Sequence, residues 1–186
     1  MSVTRISYRY AKSLLDLAVN EKNLDNVLKD MSSLFDASKN RDFHLMLKSP
    51  IINTTKKKDI VQSIFGESFD KMSMGFVNLI LTKGREEHLT EISEEFLKQY
   101  KKLKKISSAI VTSAHELSDE ALAKIKTKLL ASNLTDESVE ITTNVDPALI
   151  GGFIIEIGDK LYDASVAHKL NKLKKEFVGN SYNASN

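Results

Sequence analysis

The chain has 186 residues, 41% hydrophobic and 28% charged, with 27 Lys+Arg against 25 Asp+Glu, no cysteine, 7 glycines and 2 prolines. Length and apolar content suit one or two small domains with cores of their own, and they exclude collagen-like, wholly disordered and coiled-coil-only chains. The missing thiols remove disulfide frameworks, thiolate zinc sites and cysteine nucleophiles, and so few glycines and prolines leave no long flexible linker.

The first half reads as one helix after another. In residues 4–23, Ile6, Tyr10, Leu14, Leu17 and Ala18 recur at three- and four-residue steps, one face of a helix. Leu24, Val27, Met31, Leu34 and Phe35 repeat the pattern, and a short helix in RDFHLMLKSP is stopped by Pro50. Ile60, Val61, Ile64 and Phe65 mark a fourth helix closed by Gly66, and DKMSMGFVNLILTKG a fifth closed by Gly84, since glycine just past a helix end is the expected cap. A sixth, REEHLTEISEEFLKQYKKLKK, carries Leu89, Ile92, Phe96, Leu97 and Tyr100, with acids early and lysines late as the helix dipole favours. Six short helices with brief connections predict an antiparallel bundle over residues 1–105.

After the lysines at 101–105 the period changes. SSAIVTSAHEL alternates, with Ala109, Val111 and Ser113 on one strand face and Ile110, Thr112 and Ala114 on the other. Ser118, Asp119 and Glu120 open a helix bearing Leu122, Ile125 and Leu129. SVEITTNV is a second strand, with Val139, Ile141, Thr143 and Val145 on one face; GGFIIEIG and KLYD are two more, joined at Gly158-Asp159. A last helix starts at Ser165 with a narrow apolar seam of Val166, Leu170, Leu173 and Phe177. The expected architecture is mainly α with a smaller α/β part over 106–178, in which sheet order stays open, and a flexible tail over 179–186.

Charge divides with the pattern: 19 Lys+Arg against 14 Asp+Glu in residues 1–105, and 8 against 11 in 106–186. Opposite signs suggest two domains facing different partners. No apolar run approaches the roughly 20 residues that span a bilayer. The opening MSVTRISYRY lacks the apolar core of a secretory signal, so the expectation is a chain that starts here and stays in the cytosol.

The stretch VDPALIGGFIIEIGDKLYDASV invites three chemical readings. A nucleotide loop needs glycines at set offsets ahead of a helix N-terminus, whereas Gly151 and Gly152 precede a strand and read as a bulge or a tight backbone approach. Asp163, Ser165 and His168 resemble a triad in print, but one turn cannot place a base between nucleophile and acid; Ser165 reads as an N-cap and Asp163 as a turn acid. His44, His88, His115 and His168 are scattered and show no metal-ligand spacing. The lysine runs at 56–58 and 101–105 read as solvated helix ends rather than a nucleic-acid patch. A protein grip survives, with no cofactor, metal or catalytic residue expected.

DPALIGGFIIEIGDKLYDASVAHKLNKL resembles the signature of the delta subunit of F-type ATP synthases, whose mitochondrial counterpart is the oligomycin-sensitivity-conferring protein. The match is carried by Asp146, Gly151, Gly152, Gly158, Asp159, Asp163 and Ser165, with Leu149, Ile150, Ile155, Ile157 and Leu170. RYAKSLLDLA and KGREEHLTEISEEFLKQY are similar to the family's first and last bundle helices, so the likeness covers nearly the whole chain. It implies a non-catalytic stator subunit. Its six-helix bundle would bind amphipathic N-terminal segments of alpha subunits, one of them in a groove between the first and fifth helices. The candidates for lining that groove are Tyr10, Ser13, Leu14, Phe76, Val77 and Ile80. Its C-terminal domain would hold the C-terminal end of the b subunit. The resemblance also implies a single copy, no nucleic acid, and a peripheral place on the cytoplasmic face of the bacterial plasma membrane through the complex alone. The competing expectations are a helical RNA-associated protein or another protein-interaction adaptor.

Overall fold

The computed structural model of the chain describes residues 3–131, 135 and 137–181, with side chains as far as 175. It divides into two compact units, Met1–Leu103 and Lys104–Asn186, the first helical and the second built on a small four-stranded sheet.

In the first unit the described residues form α1 (Val3–Asn20), α2 (Leu24–Ser38), α3 (Arg41–Lys48), α4 (Thr54–Phe65), α5 (Lys71–Thr82) and α6 (Leu89–Leu103), with a 3-10 turn at Glu86–His88 ahead of α6. Side-chain caps start three of them: Asn40 accepts from the amides of Asp42 and Phe43, Asn53 from Lys56, and Asp70 from Met72. The Asp70 cap is itself held, because its N–H donates to Asp30 Oδ2 at 2.9 Å and its Oδ1 accepts from the Asn23 amide at 2.9 Å. The start of α5 is thereby tied to α2 and to the turn between α1 and α2.

The apolar stripes converge on one core that includes Leu14, Val27, Met31, Leu34, Val61, Phe65, Val77, Ile80, Ile92 and Phe96. Some residues expected in it lie outside. Ile60 and Ile64 are 36% and 52% exposed although Val61 and Phe65 are buried, because α4 buries one row of side chains and these two belong to the adjoining row. Of the two glycine caps, only Gly84 takes the left-handed conformation, φ +63°; Gly66 stays right-handed at φ −59°. The Gly84 N–H donates to the Leu81 carbonyl and the Arg85 N–H to the Ile80 carbonyl, a complete Schellman turn that ends α5 and delays α6 until Leu89.

The lysine run at 56–58 departs from the solvated reading. Lys56 is exposed, but Lys57 is buried, its ammonium donating to the Leu47 carbonyl at 2.7 Å and to Glu86 Oε1 at 2.8 Å. Leu47 sits in the last turn of α3, where carbonyls lack helical partners, so Lys57 satisfies one of them while joining α3, α4 and the 3-10 turn.

The second unit runs β1 (Ile106–Ser113), α7 (Asp119–Ala131), β2 (Ser138–Val145), a 3-10 turn (Pro147–Leu149), β3 (Phe153–Ile157), β4 (Lys160–Asp163) and α8 (Val166–Ser181). Sheet order is β2-β1-β3-β4: β1 and β2 are parallel, joined through α7, while β1–β3 and β3–β4 are antiparallel. Ala109, Val111, Val139 and Ile155 pack with Ile125 and Leu129 of α7 to form the core. Strand β1 alternates as expected, Ala109, Val111 and Ser113 being buried. On β2 only Val139 is buried and Ile141 is half-buried; Thr143 and Val145, expected on the same face, lie in the open. Gly158, at φ +58°, and Asp159 form a two-residue hairpin turn between β3 and β4. Helix α8 continues to Ser181, past the start of the expected tail; the side chain of Phe177 and residues 182–186 lie outside the described residues.

Candidate functional site

Helix α1 buries Ile6, Ser7, Ala11, Leu14, Leu15 and Ala18, and the small Ser7, Ala11 and Ala18 let a neighbouring helix come close. The adjoining face carries Tyr10, half-buried, then Ser13 and Leu17, both exposed. Helix α5 buries Ser73, Val77, Ile80 and Leu81 and presents Phe76, half-buried, and Leu79, 47% exposed. The two helices run antiparallel: Asn23, after α1, bonds to Asp70, before α5, while Arg85, after α5, lies beside the first half of α1. Between them Tyr10 and Phe76 meet edge to face, ring centroids 6.4 Å apart at 70°. Next to this pair a cleft of about 240 Å³ is lined by Ile6, Arg9, Tyr10, Ser13 and Arg85.

The six groove residues expected from the sequence therefore separate. Tyr10, Ser13 and Phe76 keep surface at the seam of α1 and α5, whereas Leu14, Val77 and Ile80 are at most 1% exposed and belong to the core. The step between them is a single helical position, which periodicity alone does not resolve. Sequence reasoning missed Arg85, which reaches the cleft only because Gly84 turns the chain back. The Ser13 hydroxyl donates to the Arg9 carbonyl at 2.8 Å, a bond internal to the helix.

The residues of the C-terminal signature are all engaged in shaping the chain. Asp146 accepts from the Ala148 amide and starts the 3-10 turn. The Gly151 carbonyl accepts from Val166 N–H at 2.9 Å, and Gly152, at φ +75°, lies so close to Ala164 and Ser165 that a Cβ there would overlap the Ala164 carbonyl oxygen. Gly158 and Asp159 make the hairpin turn. Ser165, 1% exposed, caps α8 by accepting from His168 N–H at 3.1 Å. Asp163 Oδ1 in turn accepts from Ser165 N–H at 2.8 Å. The apparent triad is thus a helix cap, and its serine hydroxyl bonds to the backbone of His168, not to its ring.

Asp163 is held below the usual carboxylate range, first by the Ser165 hydroxyl, then by the Ser165 N–H, with a smaller contribution from His168. A depressed folded-state pKa contributes stability above the unfolded value and loses it as pH falls through the folded one. The C-terminal unit accordingly loses stability as pH falls below the ordinary carboxylate range, about 4, and through the lower folded-state value. Asp163→Asn lowers the melting midpoint at neutral pH and flattens this acid slope; melts of both proteins across that range check it, and parallel slopes would refute the assignment.

Beyond the cap, Leu161 and Tyr162 of β4 are 64% and 63% exposed, and Val166, Leu170 and Leu173 of α8 are 38%, 52% and 49% exposed. The α8 seam is therefore present but uncovered, flanked by Lys169, Lys172, Lys174 and Lys175. Among the described residues no cluster of three or more His, Asp or Glu side chains is arranged to hold a metal ion, and no helix is long and apolar enough to cross a membrane.

Two small units, each presenting apolar side chains beside basic ones and using its polar motif residues as caps and turns, define an adaptor that grips other proteins. The family model described as the ATP synthase delta (OSCP) subunit matches residues 6–177, and the chain belongs to that family. It is 36% identical over 179 residues to the ATP synthase subunit delta of Cytophaga hutchinsonii, covering 96% of this chain and 97% of that one. The subunit delta of Christiangramia forsetii is 33% identical, with 98% of each chain covered. The chloroplastic subunit delta of Ochrosphaera neapolitana is 34% identical over 93% of this chain and 97% of its own. In fold, the chain matches one in the cryo-EM structure of the Toxoplasma gondii mitochondrial ATP synthase hexamer, with TM-score 0.72 and 20% identity over 92% of this chain and 97% of that one. It is a structural, non-catalytic subunit of the synthase stator.

Proposed function

We propose that the helical unit, a six-helix antiparallel bundle, holds the N-terminal segments of alpha subunits, one of them in the groove between α1 and α5. The C-terminal unit holds the C-terminal end of the b subunit, and the link keeps the catalytic head from turning with the rotor. The protein works as a single copy, peripheral to the cytoplasmic face of the bacterial plasma membrane. The observation that carries the groove assignment is the half-buried Tyr10–Phe76 pair, open along the seam toward exposed Leu17 and Leu79. An amphipathic helix laid there would cover these side chains, each apolar anchor contributing about 1.5–3 kcal/mol before the cost of ordering. Several such anchors bring the contact into the range of the roughly 12 kcal/mol that a nanomolar complex requires. For the b subunit, the uncovered apolar seam of α8 with its lysines suits an acidic amphipathic helix.

Calorimetric titration of the full chain with a synthetic alpha N-terminal peptide is expected to give a dissociation constant in the micromolar range or tighter. Phe76→Asp is expected to weaken it about a hundredfold, by placing a charge at the centre of the seam. No heat at micromolar concentrations with the unsubstituted chain sinks the reading. The RNA-binding alternative loses ground here, since Lys57 of the first lysine run is buried and unavailable to phosphates.

A further inference from the structure

The cleft beside Tyr10 contains two cations and no counter-charge. Arg9 and Arg85 both line it, no carboxylate does, and neither guanidinium has a hydrogen-bond or ion-pair partner among the described residues. Of the acids that follow Arg85 in sequence, Glu86 turns toward Lys57, its Oε1 accepting at 2.8 Å, and Glu87 faces His88 Nε2 at 3.3 Å. Such a neighbourhood is built rather than accidental, because the left-handed Gly84 and the two Schellman hydrogen bonds fix the backbone from which Arg85 extends. Two guanidinium groups at one cleft repel each other, and a carboxylate entering between them relieves that repulsion. Their planar forks fit a carboxylate in paired hydrogen bonds, which a lysine ammonium does not reproduce.

We propose that the helical segment occupying the α1–α5 groove carries an aspartate or glutamate that Arg9 and Arg85 bind jointly. The inference rests on the groove reading above and adds the chemistry of its occupant. The apolar stripe of the segment covers Tyr10 and Phe76, and its acid lies about one turn away, toward the start of α1. The apolar seam supplies the grip, while the arginine pair fixes the register and direction of the bound helix.

The test uses the full chain and the synthetic alpha N-terminal peptide at low and high salt. Arg85→Gln and Arg9→Gln are each expected to weaken binding about tenfold at low salt and less at high salt, with Arg85→Lys falling between. Replacing the peptide's acids one at a time by their amides is expected to single out one position. The loss there exceeds that of either single arginine variant, and adding Arg85→Gln to the amide peptide costs little more, as a double-mutant cycle requires. Melting midpoints of the arginine variants are expected to match the parent, because neither guanidinium holds the fold together. Undiminished binding by both arginine variants overturns the proposal and leaves groove docking intact. Absence of binding by the unsubstituted chain overturns groove docking and the proposal with it.

Discussion

Replacing Lys57 with methionine is expected to destabilise the helical unit by about 3–5 kcal/mol, the range for stranding one member of a buried ion pair. The methylene stem is nearly matched in volume, so packing changes little. What changes is that Glu86, whose side chain is 14% exposed and whose Oε2 already lacks a partner, loses its cation, and the Leu47 carbonyl loses its donor. Against a total of roughly 5–15 kcal/mol for a domain this size, such a loss is visible at once in urea denaturation followed by circular dichroism. The double variant Lys57→Met, Glu86→Gln is expected to recover part of it, since the amide carries no charge. A loss below about 1 kcal/mol would mean that the pair behaves like an exposed one and does not tie α3, α4 and the 3-10 turn together.

The second large effect is expected from Gly152→Ala. At φ +75° an L side chain is strained by about 1–3 kcal/mol on its own account. Here the added Cβ also runs into the Ala164 carbonyl oxygen and approaches Ser165 Cα at 3.1 Å, and both are backbone atoms that cannot swing away. Relief requires parting β3 from the start of α8, which breaks the Val166 N–H to Gly151 and Ala164 N–H to Phe153 hydrogen bonds. The C-terminal unit is expected to melt at a clearly lower temperature while the helical unit keeps its own transition, in calorimetry of the full chain. Gly84→Ala is the contrast: it shares a positive φ, but a Cβ there meets nothing within 4 Å, so its cost stays near that of the backbone alone. Equal effects at both positions would remove close approach as the cause.

What was legible in the sequence follows from how far each signal reaches. Three- and four-residue apolar steps placed the helices, and alternation placed β1, because those periods are set by local geometry. The hairpin at Gly158-Asp159, the Ser165 cap and the close approach at Gly152 were readable for the same reason, each needing residues only a few positions apart or a glycine where no other residue fits. The burial of Lys57 was not readable, since its partners Leu47 and Glu86 are 10 and 29 residues away. Nor was the sorting of the groove residues into core and surface: Ser13 and Leu14, like Phe76 and Val77, are consecutive positions, and only the packing of the neighbouring helices decides which of each pair is covered. Sheet order stayed open because alternation says which way side chains point and nothing of which strand lies beside which.

The central place of β1 has a kinetic consequence. Its antiparallel partner, β3, lies some forty residues downstream, and the entry to β3 is braced from later still, Ala164 N–H donating to the Phe153 carbonyl and Val166 N–H to the Gly151 carbonyl. During synthesis the sheet therefore stays incomplete until residues 164–166 have left the ribosome, whereas every helix of the first unit has emerged before them. The newborn protein has its N-terminal unit in place first, and a ribosome stalled before residue 164 displays that unit beside a β1 strand still without its brace.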